Sequence, residues 1–162
     1  MSSSADMSII RNGVLLRTEV MRLQEQRWVD NSLQQAFEYT ADFSNIHEWD
    51  PGVETSHKAG NGPVGVGAKY DLELRFGVST VPMVYEITEY EAPNRVVLVG
   101  KGENLHAIDE IRFSAQDNMT RIDYTADLEF QGLMKYLVPV LSPIVRRVGT
   151  RALDGLVEAL RR

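Results

Sequence analysis

Residues 120–130, Thr-Arg-Ile-Asp-Tyr-Thr-Ala-Asp-Leu-Glu-Phe, alternate with a period of two. Ile122, Tyr124, Ala126, Leu128 and Phe130 fall on one side of an extended chain. Arg121, Asp123, Thr125, Asp127 and Glu129 fall on the other. Successive side chains of a strand point to opposite faces, so this stretch requires a sheet with one dry and one wet side. Tyr70, Leu72, Leu74 and Phe76 alternate in the same way, as do Val81, Met83, Tyr85 and Ile87, and then Leu105, Ala107, Asp109, Ile111 and Phe113.

After Gly132 the period changes. Leu137, Leu141, Val145, Val148, Ala152, Leu156 and Leu160 recur at three- and four-residue steps, which is one stripe of a long amphipathic helix. Pro139 and Pro143 lie in its first third, where an irregular or kinked course is expected. The dry face of the sheet has only this helix to lie against. A curved sheet wrapped on one helix can enclose a hollow, so the pattern points to an α+β domain with an internal pocket.

The links between strands carry turn chemistry. Gly77, Ala92-Pro93-Asn94, Gly102-Glu103-Asn104 and Asp117-Asn118 separate consecutive strands of an antiparallel meander. Pro82 marks its strand as an edge or a bulged one. Residues 1–13 read as a flexible leader and 14–162 as one domain. A first strand is expected between Val14 and Val29, its facing unresolved because Val20, Met21 and Leu23 do not share a parity. Ser32 with Gln35 forms a capping-box pattern opening a short helix. A second helical turn over residues 43–49 ends at Asp50-Pro51-Gly52, and a short strand follows over residues 53–58. The glycine-rich run from Gly60 to Gly67 lacks the Gly-Lys-Ser/Thr of a phosphate loop and leads into a strand, which makes it a hairpin connection or a gate.

Composition narrows the function classes. There is no cysteine, hence no disulfide framework and no thiolate ligand or nucleophile. The formal charge of −6 is uneven: Leu133 to Arg162 holds six basic and two acidic residues, +4, which leaves −10 for the rest. An acidic body argues against nucleic acid as a partner. No run reaches the length of a spanning segment and no export signal is evident, so a cytoplasmic protein without stable membrane insertion is expected. His47, His57 and His106 lack metal-ligand spacing, and no metal or other cofactor is expected. No serine lies in a nucleophile elbow.

The order strand, two short helices, six-stranded meander and long C-terminal helix resembles the START-like helix-grip fold. More narrowly it is similar to the polyketide cyclase/dehydrase and lipid-transport branch of the SRPBCC superfamily. The residues carrying the likeness are Ala36-Phe37-Glu38-Tyr39, the block from Ala41-Asp42-Phe43-Ser44-Asn45 through Trp49-Asp50-Pro51-Gly52-Val53, Gly65-Val66-Gly67-Ala68, Asp109-Glu110-Ile111-Arg112-Phe113, and Thr120 to Leu128. Met119 stands where that family carries glycine, a departure expected to alter a turn. The resemblance implies a curved sheet of about seven strands on the C-terminal helix. It also implies members that bind hydrophobic ligands, close aromatic polyketide rings or carry lipids.

The expected function is binding of a hydrophobic or amphipathic small molecule (lipid, polyketide or isoprenoid-like) between sheet and helix, by Trp49, Tyr70, Leu72, Phe76, Met83, Tyr85, Ala107, Tyr124, Leu128, Leu137 and Leu141. Asp109 is the candidate catalytic residue. A carboxylate among apolar neighbours is either paired structurally, with a tyrosine or an arginine, or raised in pKa and suited to proton transfer. Two other readings stay open. One is a cyclase/dehydratase-type enzyme using Asp109 or a pocket tyrosine. The other is peripheral membrane or partner contact through residues 133–147, against which stands the plainer reading of that segment as the buried start of the closing helix. A homodimer is compatible with all three.

Overall fold

The computed structural model describes residues 20–162, together with the backbone of a two-residue antiparallel pairing of Ile10–Arg11 with Val14–Leu15. The expected leader and the first residues of the expected first strand lie largely outside the described residues. Seven strands form one antiparallel sheet: β1 (Val20–Val29), β2 (Val53–Ala59), β3 (Lys69–Phe76), β4 (Ser79–Glu91), β5 (Arg95–Lys101), β6 (Leu105–Gln116) and β7 (Met119–Phe130). The order across the sheet is β1-β7-β6-β5-β4-β3-β2. Every link from β2 to β7 is therefore between neighbours, and only β1 pairs across the sequence. Helix α1 (Leu33–Ala41) and a 3-10 turn (Phe43–Glu48) connect β1 to β2, and a second 3-10 turn (Gly132–Leu137) leads into helix α2 (Val138–Leu160). This is the helix-grip arrangement.

The alternation expected from the sequence sets the register. Leu23, Ala126, Asp109, Leu98 and Ile87 lie side by side across five strands on the inner face. The facing of β1 is also settled. Glu25 pairs with Tyr124, so Glu25 points inward and Gln26 outward. The Asp117-Asn118 hairpin has φ of 51° and 63°, so the left-handed positions precede Met119, which is already paired with Gln116. Glycine is not needed at 119. Pro82 sits on the end of β4 that overhangs β5, whose pairing starts at Val84, and the bulge of that strand is further on, between Ile87 and Glu89.

Helix α1 starts at the reciprocal Ser32–Gln35 cap and buries Phe37 edge-on against Tyr90 and Phe113. Phe43 is the centre of a second aromatic group with Trp49, Tyr70 and Tyr85. Helix α2 is held to β1 and the turn after it by polar bonds: Arg27 to Asp154 at 2.9 Å, Thr150 Oγ1 donating to Glu25 at 2.8 Å, and Asn31 Nδ2 donating to the Leu160 carbonyl at 2.9 Å. Its fully buried residues, Ala152, Leu153, Leu156, Ala159 and Leu160, are all in its second half. The first half stands off the sheet. Arg95, at the start of β5, is the hub of an ion-pair network with Glu89, Glu91 and Glu110.

Candidate functional site

The stand-off of α2 leaves a cavity of about 280 Å³ between helix and sheet. Its walls come from β1 (Leu23, Glu25), the helical corner (Ile46, Trp49, Asp50, Gly52, Val53), β3 (Leu72, Leu74, Arg75, Phe76), β4 (Tyr85), β6 (Leu105, Asp109), β7 (Tyr124, Ala126, Leu128, Phe130) and the inner side of α2 (Leu141, Ile144, Val145, Val148, Gly149, Ala152, Leu153). Phe76 and Ile144 line it and are also exposed, which locates its mouth between the β3–β4 hairpin and α2.

The polar groups of the cavity converge. Asp109 is 4% exposed, and the Tyr124 hydroxyl donates to its Oδ1 at 3.0 Å. Burial pushes the Asp109 carboxyl up to about 7. The Tyr124 and Tyr85 hydroxyls oppose the rise, and the charges of Asp50 and Asp127 add to it. Asp50, placed just after the 3-10 turn, accepts from the Gly52 amide at 2.7 Å. Burial pushes it up to about 6 and that amide holds it down. Both tyrosines are raised well above their ordinary value, first by burial and then by the charge of Asp109. Two carboxyls and two phenols thus act on one another in an otherwise oily space. Glu25, the third carboxyl on the wall, is already bonded to Arg27 and Thr150.

Two close approaches shape this floor. A β-carbon on Gly100 would lie 2.5 Å from Cζ of Tyr85, so the ring lies across β5 only because residue 100 has no side chain. A β-carbon on Gly155 would lie 2.1 Å from the Trp49 carbonyl oxygen, so α2 meets the helical corner at van der Waals contact.

Of the residues expected to contact a ligand, Trp49, Leu72, Phe76, Tyr85, Tyr124, Leu128 and Leu141 line the cavity together with Asp109. Four do not. Tyr70 is fully buried against Phe43, because its end of β3 runs under the helical corner. Met83 and Ala107 face inward but are covered by neighbouring side chains. Leu137 is exposed: residues 132–137 form a 3-10 turn, whose threefold repeat breaks the phase of the α-helical stripe. Residues 133–145 are not a buried helix start either. No residue of the Gly60–Gly67 loop lines the cavity; the loop connects β2 to β3. Asp50 was hidden in the sequence by the Asp-Pro-Gly turn, which accounts for an aspartate without any site. Glu25 was hidden by the mixed parity of β1, and Gly100 carries no signal in a valine-rich strand. Among the described residues no cluster of metal-ligating side chains occurs.

A family model described as polyketide cyclase / dehydrase and lipid transport matches residues 21–161. Comparison with curated proteins gives no match. Among solved structures, the ZhuI aromatase/cyclase from Streptomyces sp. R1128 superposes with a TM-score of 0.74 at 14% identity, covering 89% of this chain and 95% of that one. A protein from Thermus thermophilus, TTHA0849, has a TM-score of 0.69 at 14% identity, covering 86% and 94%. A START superfamily protein from Mycobacterium smegmatis has a TM-score of 0.64 at 14% identity, covering 86% and 93%. At these identities the superpositions establish the fold.

Proposed function

From the premise that this chain belongs to the polyketide cyclase / dehydrase and lipid transport family, we propose that it binds a hydrophobic or amphipathic small molecule of lipid, polyketide or isoprenoid-like chemistry between the sheet and α2. One observation carries the reading: a largely apolar cavity whose wall gathers Asp50, Asp109, Tyr85 and Tyr124, with the Tyr124 hydroxyl bonded to Asp109 at 3.0 Å. Such a distribution suits a ligand with an oily body and one oxygen-bearing end. The body gains roughly 25 cal/mol per Å² of apolar surface removed from water. The oxygen-bearing end takes hydrogen bonds from a phenol or a protonated carboxyl. The test is native mass spectrometry of freshly purified protein, with identification of any retained molecule, alongside uptake of a fluorescent naphthalene probe. A protein that retains nothing and takes up no probe is not such a carrier.

A second reading is favoured by the pair Asp50 and Asp109, both with pKa values brought near neutrality. In a cyclase/dehydratase reaction on a poly-keto chain, ionised Asp50 would remove a proton from the carbon between two carbonyls. That carbon would then bond to a second carbonyl carbon, whose oxygen takes the proton of Asp109. That C–C bond closes the ring; protonated Asp50 then gives its proton to the new hydroxyl, which leaves as water, while ionised Asp109 takes the proton left on the attacking carbon, so a C=C bond forms and both carboxyls regain their starting states. Asp109→Asn should then abolish turnover of a poly-keto analogue while probe affinity changes by less than about twofold. Equal loss of both would make Asp109 a binding or folding residue.

A further inference from the structure

The segment that follows β7 exposes large apolar side chains instead of burying them. Leu133 is 83% exposed, Tyr136 70%, Val140 67% and Ile144 57%, with Leu137 also open to solvent. Val140 and Ile144 share one stripe of α2, beside the stripe of Leu141, Val145 and Val148 that faces the cavity, and Leu133, Tyr136 and Leu137 extend the exposed apolar surface over the preceding 3-10 turn. The stripe of Val140 and Ile144 continues into Arg147 and Arg151, and Lys135 lies over the Tyr136 ring at 5.0 Å. From Leu133 to Leu153 there are four basic residues, Lys135, Arg146, Arg147 and Arg151, and no acidic one, in a chain whose net charge is −6. Contiguous exposed apolar residues bordered by one sign of charge mark an interaction surface.

We propose that this face docks on an anionic lipid bilayer, with Leu133, Tyr136, Val140 and Ile144 in the headgroup region and the four cations against acidic headgroups. Three observations choose this occupant. The unbalanced positive charge matches an acidic surface. A second copy paired through the same stripe would set these cations against their own counterparts. The patch is also continuous with the cavity mouth, since Ile144 belongs to both and Phe76 stands opposite it. No described helix is long and apolar enough to cross a membrane, so the contact is peripheral. The docking does not depend on what the cavity holds.

The experiment is flotation of the full chain with vesicles of phosphatidylcholine alone and of phosphatidylcholine with phosphatidylserine, at low and raised salt. Partitioning onto the mixed vesicles alone, reduced by salt, is expected. Leu133→Glu with Val140→Glu, neither on the cavity wall, should weaken it by roughly tenfold or more, and so should Arg146→Glu with Arg147→Glu. All four side chains are exposed, so circular dichroism should show each variant folded. Absence of flotation, equal binding to neutral vesicles, or folded variants that bind as the wild type would overturn the proposal. So would a dimer in sedimentation equilibrium that is abolished by the Leu133→Glu, Val140→Glu variant in a protein that ignores vesicles.

Discussion

The Tyr85 ring lies over the α-carbon of Gly100, so close that a β-carbon there would stand 2.5 Å from Cζ. The two residues are paired across β4 and β5. A tyrosine in the middle of an inner face would ordinarily stand up from the sheet. Here it lies across the next strand, where its hydroxyl acts on Asp109. Gly100→Ala must push the ring off its rotamer or part the strands, at a cost of about 1–3 kcal/mol. Urea unfolding reads the loss directly, and uptake of the naphthalene probe should fall with it. A variant as stable and as receptive as the wild type would mean that the ring has room to move.

Asp109 ties stability to pH. Its proton is held up to about 7, against an ordinary value of 3.8. The folded state therefore binds this proton more tightly than the unfolded chain does. Stability from this group is fullest below about pH 4, declines as pH rises and is gone above about 7. Asp50, raised to about 6, acts with the same sign over a narrower window. The wild type should be less stable near pH 8 than near pH 5, by on the order of a few kcal/mol. Asp109→Asn keeps an acceptor for the Tyr124 hydroxyl and removes the titration, so its urea midpoint should vary much less over that range. An unchanged pH slope in the variant would show that the carboxyl ionises freely.

Tyr124 tests the same cluster from the other side. Its hydroxyl donates to Asp109 Oδ1 and so favours the ionised carboxyl. Tyr124→Phe removes that donor and leaves a buried acceptor short of a partner, which costs about 1–3 kcal/mol. The Asp109 titration, followed by carbon-13 NMR of the labelled carboxyl, should move upward from about 7. A downward or absent shift would mean that another group governs the proton.

Gly155 fixes the other end of the grip. With the Trp49 carbonyl oxygen 2.1 Å from where a β-carbon would sit, Gly155→Ala cannot be absorbed by a flexible side chain. Helix α2 must lift off the helical corner, and a loss of about 3 kcal/mol is expected by thermal or urea unfolding. Stability within a few tenths of wild type would show that the corner itself gives way.

The parts of this fold that were legible from sequence are those set by period. The inner face of β7 follows its alternation from Ile122 to Phe130, and the cavity side of α2 follows its stripe from Leu141 to Ala152. Ser32 announced α1 through its cap. What periodicity could not convey is whether an inward side chain touches a void or another side chain. Met83, Ala107 and Tyr70 share the inner face with Leu72, Tyr85 and Leu128, yet only the latter three reach the cavity, because coverage depends on how α2 and the helical corner lie over each row. Leu137 is off the cavity wall for a local reason, a 3-10 turn whose threefold repeat breaks the helical phase. Asp50 and Gly100 failed because a turn aspartate and a strand glycine each have an ordinary structural explanation, while their roles arise from contacts with residues far off in sequence.

That distinction between void and packing yields the sharpest contrast. Met83 is 2% exposed and off the cavity wall, so a larger side chain there meets atoms on every side. Val145 projects from the first half of α2 into open space. Met83→Trp should therefore lose about 1–3 kcal/mol through overpacking. Val145→Trp should stay within about 1 kcal/mol of wild type and block the naphthalene probe, since the indole occupies the volume the probe would take. Urea unfolding and probe titration on the two variants together decide the matter. If both tryptophans destabilise alike, the space beneath α2 closes in solution and the helix packs on the sheet along its whole length. If only Met83→Trp does, with uptake lost only in Val145→Trp, the hollow persists and α2 forms one of its walls.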